Sequence, residues 1–492
     1  MEPVPLTPVP LMWSQEHYWY GRYARPRVNT RIPVTWRLPY GRTHAHVTSA
    51  VRALVHRHPA LRTTFPAGED GRPVQRVHPP EASALTAVEP LVARSPEELG
   101  HVVARLTARD LDPEREHPAR YAHVTGDGTA GHLVAVFHHI AVDAASIEQL
   151  WREFTESLGV GGRGHPEADT WPERPEQPQR PERPESDAWT PVDQARLDHS
   201  PEQSAYRSRA AAHQERCLRA APRRLFPAFR PLPLPLANEN TNTNTNEESD
   251  GPHQEHQPAP TYWRLTLQSH RLHPAAERLS ARYRILPSVV YFGAFASLLA
   301  RASGRPDLVI RTAFSTRPPT SPAAVGCFFQ RSLAAVTLPS ADPDGSADPG
   351  EPAASTREVL RAARDAYTDA WEFSRHSYQD ARRAHAAEEA RREEAVRLSV
   401  SYGYFASDVM SRVWPQVAAD QPEMTVRAKD PGKYDNDADL NLEVFSAEEN
   451  RVELSLLVHR SLYDEPGAAR LLRELAALVL EWDAAPWAPE VP

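Results

Sequence analysis

The sequence predicts an α/β protein built as two half-domains of mixed strand and helix. Three observations lead there. A chain of 492 residues exceeds what one ordinary hydrophobic core organises, so two units are expected. Strand-like and helix-like patterns interleave both before residue 158 and after residue 261. The stretch between them changes composition: many of the 49 prolines crowd there, beside a polar low-complexity tract. The predicted organisation is therefore 1–158 as the first half-domain, 159–260 as an insertion or linker, and 261–492 as the second.

In the first half, THAHVTSAVRALVHRHPALRTTF holds Val47, Val51, Leu54 and Val55 at helical spacing, with Pro59 after the helix. Leu133 to Phe137 is a short valine-rich run that reads as a buried strand. Ile147, Leu150, Trp151 and Phe154 then keep a helical period, so a helix starts near Asp143. The central stretch reads as a solvent-exposed insertion. WPERPEQPQRPERPES is an extended proline-charge tract, and PLPLPLANENTNTNTNEESDGPHQEHQPAP has too few apolar residues to order itself. One helical piece is expected between them, from Ser204 to Leu218. In the second half, YWRLTL alternates as a half-buried strand, and Leu286 to Ala302 is apolar nearly all round, as a core helix is. Leu308 to Ile310 reads as a short strand and VGCFFQRSLAAVTL as an extended segment. Arg382 to Leu398 reads as a charge-laced helix, and LSVSYGYF, LNLEVF and VELSLLV as strands. An amphipathic helix, Ala468 to Trp482, follows.

Composition narrows the function. The net charge of −9 is spread without single-sign blocks, which argues against nucleic acid as a partner. Two cysteines, Cys217 and Cys327, supply neither a disulfide framework nor a cysteine metal cluster, and a reducing cytoplasm fits. The N-terminal MEPVPLTPVPLMW lacks the basic and apolar regions of a secretory signal, and the apolar run Ile285 to Ala300 is too short to span a bilayer. A soluble monomer is expected. GVGGRG, residues 159–164, matches the glycine fingerprint of dinucleotide sites, but it follows a helix and leads into prolines.

The chemistry-bearing stretch is LVAVFHHIAVDAASI, a strand-to-helix turn carrying His138, His139 and Asp143. Neighbours on a strand point to opposite faces, so the two histidines do not easily share a metal ion. One faces the core and one faces outward. An imidazole near neutral pH takes and returns a proton, which suits acyl transfer to an amine or alcohol. Asp143, at the N-cap of the next helix, can cap backbone N–H groups and pair with an arginine. On the residues alone, all three also read as satisfied polar groups at a core edge.

FHHIAVDAAS resembles the HHxxxDG motif of nonribosomal peptide synthetase condensation domains, within the wider superfamily built on the chloramphenicol acetyltransferase fold. Other segments resemble that family in the same order: LMWSQEHYWY, RHPALRTTF, the run from Leu286 to Arg317, AVGCFFQRSL, HSYQDARRA and DLNL. The resemblance implies two chloramphenicol acetyltransferase-like half-domains in a V-shaped pseudo-dimer with a central tunnel. It implies His139 as the catalytic histidine and His138 as the inward structural one. Asp143 is then the buried partner of an arginine, with Arg62 and Arg317 both in matching positions. Ala144, Ser146 and Gln330 are candidates to line the tunnel.

Three departures from the pattern stand out. Ala144 replaces the motif glycine, Gln330-Arg331 replaces an Asn-Thr pair, and the PFE of a later motif is absent. The resemblance implies an acyltransferase that joins a carrier-protein thioester to an amine or alcohol acceptor, free or carrier-bound. No resident cofactor is implied, since the substrate hangs on the carrier's 4'-phosphopantetheine arm. With no recognisable adenylation or carrier domain, peptidyl or acyl carrier proteins are expected to act in trans. Two alternatives share the fold: a coenzyme A thioester as donor, or a silent domain that recruits carrier proteins.

Overall fold

The structure, a computed structural model, describes residues 9–24, 30–126, 131–160, 189–223, 225–226, 262–339, 355–406, 426–429, 438–446 and 451–485. The first half contains β1 (Val9–Pro10), α1 (Trp13–Ala24), β2 (Arg31–Arg37), α2 (His44–Arg57), β3 (Thr63–Thr64) and β4 (Val74–Val77). It continues through β5 (Val88–Val92), α3 (Pro96–Ala108), β6 (Ala119–Thr125), β7 (His132–His138) and α4 (Ala144–Thr155). Thr43 starts α2 through a reciprocal capping box with His46. The helix stops where Pro59 removes the next backbone donor.

Strand β7 lies inside a four-stranded sheet of order β2-β7-β6-β5. Leu133 to Phe137 are buried on both faces, which explains the unbroken apolar run. One face packs on α2 and α4, where Ile147, Leu150 and Phe154 are fully buried. Each such side chain contributes about 1.5–3 kcal/mol. The sheet and its helices thereby fix both ends of the turn between β7 and α4.

The remaining elements are α5 (Pro191–Asp198), α6 (Ser204–Ala220), β8 (Tyr262–Ser269), α7 (Leu272–Tyr283), α8 (Pro287–Ser303), β9 (Asp307–Ser315) and β10 (Phe329–Thr337). After these come α9 (Thr356–Glu372), α10 (Tyr378–Arg392), β11 (Val400–Ala406), β12 (Val426–Lys429), β13 (Leu440–Ser446), β14 (Val452–His459) and α11 (Glu465–Ala484). A seven-stranded sheet of order β10-β9-β11-β13-β14-β8-β12 carries them. Helix α8 is buried from Ser288 to Leu299, in a core shared with α7, α9 and α11. Among the described residues no single helix is long and apolar enough to cross a membrane.

Three expectations are modified. Strand β9 is longer than Leu308 to Ile310, because β10 pairs with it antiparallel along its whole length. The charge-laced helix starts at Tyr378 and ends at Arg392, where Glu393 turns left-handed at φ 57°. The stretch 159–260 is not a linker throughout. Residues 189–223 hold two helices, and Ala195 joins Met12, Ala324 and Phe328 in an apolar cluster between the halves. Helix α6 buries Cys217 and Leu218 against Val309 and Leu333 of the large sheet. The proline-charge tract, the Asn/Thr tract and most of GVGGRG lie outside the described residues.

A second contact between the halves starts α10. Glu16 of α1 accepts hydrogen bonds from the Tyr378 N–H at 2.9 Å and the Ser377 hydroxyl at 3.3 Å. Burial pushes this carboxyl from its ordinary 4.5 up to about 7, against those two hydrogen bonds. A folded-state value above the unfolded one means that the contribution of Glu16 is fully present below about pH 4.5 and lost as pH rises through about 7. Denaturant unfolding at pH 5.5 and 8.5 should therefore show wild type losing more stability across that interval than Glu16→Gln does. Equal losses would mean that Glu16 is ionised throughout.

Candidate active site

The histidine pair straddles the end of β7. His138 is the last strand residue and is buried. Its Nδ1 accepts from the Ile140 N–H at 3.1 Å, and its Nε2 meets the Thr30 hydroxyl at 3.1 Å. With Nδ1 accepting, the proton sits on Nε2, so this imidazole braces the turn. His139 lies in the turn itself, its N–H donating to the Thr30 carbonyl at 2.7 Å. The two side chains diverge because the strand ends between them, a different cause from the strand alternation expected.

Asp143 closes the turn and joins the two halves. Its Oδ1 accepts from the Ser146 N–H at 2.8 Å, capping α4, and from the Ser146 hydroxyl at 2.7 Å. Its Oδ2 accepts from the Phe328 N–H at 3.0 Å. Arg317, 174 residues away in sequence, donates to Oδ1 from Nη2 at 2.8 Å, with side-chain exposures of 8% and 6% for the pair. The same guanidinium donates to the Ala324 carbonyl and lies over the Phe328 ring. Ser146 is fully buried; its single hydroxyl proton is shared between Asp143 Oδ1 and the Gly326 carbonyl, 2.8 Å away, and its oxygen accepts from the Gly326 N–H at 3.0 Å. Glycine at 326 leaves room for the Phe328 ring, since a Cβ there would stand 2.7 Å from it.

Around His139 the surroundings are aromatic. Its ring stacks on Tyr18 of α1 at 4.5 Å between centroids and 21° between planes, and Phe329 of β10 lies 5.6 Å away. The imidazole is partly buried between an aromatic residue from each half. Burial lowers its pKa below the ordinary 6.5, and the Arg331 charge acts in the same direction. Backbone groups of His139 and Val142 and the Asp143 charge pull the other way. The net result is a neutral ring at pH 7. Nδ1 is enclosed by protein.

The other expected residues divide. Arg62 donates to the His78 carbonyl, and among the described residues it is Arg317 that pairs with Asp143. Ser146 is part of the latch instead of a lining residue. Gln330 is buried too, and its amide donates to the His376 carbonyl at 2.5 Å, tying β10 to the segment before α10. Ala144 is partly buried at the first position of α4. Tyr18, Phe328 and Phe329 were not singled out in the sequence, because their link to the histidine motif is made only by folding. A cleft of about 490 Å³ opens at the opposite end of the β9–β10 hairpin and includes none of these residues. Among the described residues no group of three or more His, Cys, Asp or Glu is placed to hold a metal ion.

The segments of the resemblance converge on this turn. Gln15 reaches the Gln75 side chain and the Ile140 carbonyl, Trp19 donates to the Phe65 carbonyl at 2.9 Å, and Ser14 donates to the Cys327 carbonyl at 2.6 Å. Residues 9–166 match the model of the condensation domain family. The first condensation domain of the calcium-dependent antibiotic synthetase superposes with a TM-score of 0.65 at 16% identity, over 98% of both chains. The X-domain from teicoplanin biosynthesis gives 0.63 at 21%, over 98% of this chain and 96% of that one. The chain has the condensation-domain fold.

Sequence relatives of this condensation fold are large synthetases. A linear gramicidin synthase of Brevibacillus parabrevis is 31% identical over 159 residues, 31% of this chain. Nonribosomal peptide synthetase dtxS1 of Metarhizium robertsii is 29% identical over 159 residues, 32% of this chain. The matched region spans about 2% of the length of either relative.

Removing one partner of a buried, hydrogen-bonded ion pair costs about 3–5 kcal/mol. Asp143→Ala should lose that much by urea unfolding, and so should Arg317→Ala. The double variant should lose clearly less than the sum of the two, because neither charge is then left orphaned. Strict additivity would show that the two side chains do not interact.

Proposed function

We propose that this protein is a condensation-type acyltransferase. It joins the acyl or peptidyl group of a carrier-protein thioester to an amine or alcohol acceptor, with His139 as the catalytic residue. The condensation domains and synthetases it is similar to support this class of reaction. The observation that carries the assignment is the imidazole of His139, held in the turn after β7 between aromatic residues of the two halves.

The chemistry follows from that arrangement. Acceptor nitrogen or oxygen attacks the thioester carbonyl, and the new C–N or C–O bond forms as the carbonyl electrons move onto oxygen. Collapse of the tetrahedral intermediate breaks the C–S bond. The acceptor's proton passes by way of His139 Nε2 to the departing phosphopantetheine thiolate, so atoms and charge balance. An imidazole that begins neutral can take that proton, and one held below its ordinary pKa returns it readily. The first turn of α4 presents partial positive charge near the same turn, where the developing oxyanion can be stabilised. Peptidyl or acyl carrier proteins are the partners that this reading requires.

General-base removal typically costs about 10²–10⁴-fold in rate. Loaded carrier protein, incubated with an acceptor and followed by intact-mass analysis, should lose its acyl group at a rate reduced by that order in His139→Ala. The circular dichroism and melting of the variant should match wild type. Turnover close to wild type would remove His139 from the chemistry.

A further inference from the structure

Tyr18 lies face to face with His139, and the contacts of α1 fix it there. Helical spacing puts Gln15 and Tyr18 on one side of α1, toward the turn after β7. Gln15 donates to the Ile140 carbonyl, next to His139, at 3.4 Å, and to the Gln75 side chain. Trp19 anchors the following position on the Phe65 carbonyl at 2.9 Å, and Glu16 accepts the Tyr378 N–H of the other half. The His17 ring stands perpendicular to Tyr18, 5.4 Å away. Held in this way, the Tyr18 ring stacks on the imidazole at 4.5 Å between centroids and 21° between planes.

Such a stack acts differently on the two forms of the imidazole. With the neutral ring it is packing. With the imidazolium it adds the attraction of a cation for the negative face of an aromatic ring, strongest where water is excluded. Burial favours the neutral ring, so its cost falls on the form that carries the extra proton. The charges felt at the ring are Asp143 of its own turn, which favours that form, and Arg331 of β10, which opposes it. Asp143 acts through its charge, its oxygens being committed to Ser146, Phe328 and Arg317. On the β10 side Phe329 is farther off, at 5.6 Å and 32°, and the Arg331 guanidinium carbon already lies 5.5 Å from its centre. Tyr18 is the closer and more nearly parallel of the two faces.

We infer that Tyr18 is a positioning residue for proton transfer: its π face stabilises the imidazolium that His139 becomes while it holds the acceptor's proton. The neutral ring takes that proton as the acceptor attacks and releases it to the departing thiolate, so the charge on the stack appears and vanishes within one turnover. An interaction stronger in the proton-bearing state than in the resting one lowers the barrier, where uniform packing would not. This rests on the acyl-transfer reading of the site and assigns the residue that steadies its base.

The test varies the charge distribution of the ring at nearly constant size. Phenylalanine and its 4-fluoro, 3,5-difluoro and 3,4,5-trifluoro forms replace Tyr18, beside Tyr18→Leu, since fluorine is little larger than hydrogen but drains the negative face. One readout is the titration of His139, followed without substrate by NMR of the labelled imidazole and assigned with His139→Ala. The other is the transfer rate in the loaded-carrier assay that tests His139→Ala. Each added fluorine should move the His139 pKa down and the rate with it, the trifluoro form losing about 3–30-fold against Tyr18→Phe. Tyr18→Phe keeps the ring and should recover most of what Tyr18→Leu loses. A titration and rate that stay flat across the fluorine series, even beside a slow Tyr18→Leu, would reduce Tyr18 to packing and overturn this inference alone. Transfer by His139→Ala at the wild-type rate would instead sink the acyl-transfer reading, whatever the titration shows.

Discussion

The site depends on one buried carboxylate. Burying an ionised aspartate is costly unless every lone pair finds a partner, and Asp143 receives the Ser146 N–H, the Ser146 hydroxyl, the Phe328 N–H and the Arg317 guanidinium. Two of these donors come from α4 of the first half. The other two come from the second half, out of the segment that leads into β10. The same charge therefore caps a helix, closes a turn and fastens one half-domain to the other. Ser146 and Gly326 extend the latch, and the missing side chain at Gly326 leaves room for the Phe328 ring and Pro191. The position of His139, in the turn that Asp143 closes, is a consequence of that constraint.

From the latch follows the environment of the imidazole. Because β10 is drawn against the first half, Phe329 arrives on His139 from one side while Tyr18 of α1 covers it from another. Burial disfavours the imidazolium and depresses the pKa, outweighing the backbone groups of His139 and Val142 and the Asp143 charge that pull the other way. His138 has the opposite fate: with hydrogen bonds at both nitrogens it is held as part of the frame. Two adjacent residues of one type thus do different work, decided by where the strand stops.

Much of this was legible in the sequence where it is local. The apolar run of β7, the cap at Asp143 and the apolar face of α4 are all short-range patterns, and the structure keeps them. Choosing Arg317 over Arg62 was not legible, since both precede or end comparable elements and only the packing of the halves brings one to the carboxylate. Tyr18 and Phe329 carried no signal for the same reason. Ser146 and Gln330 were expected to line a tunnel, but polar residues in a motif are equally what a buried latch requires. In the centre of the chain the helical piece expected from Ser204 to Leu218 is α6, whereas composition concealed α5, whose apolar residues are few but placed where a seam needs filling.

The central claim is that the Asp143–Arg317 pair positions the turn that carries His139. It is tested most directly by the single-turnover transfer rate of Arg317→Ala, measured at a temperature and denaturant-free buffer where the variant is shown to be folded. The account predicts a rate lowered toward that of a His139 variant, with carrier binding little changed. A folded Arg317→Ala enzyme that transfers at the wild-type rate would contradict it.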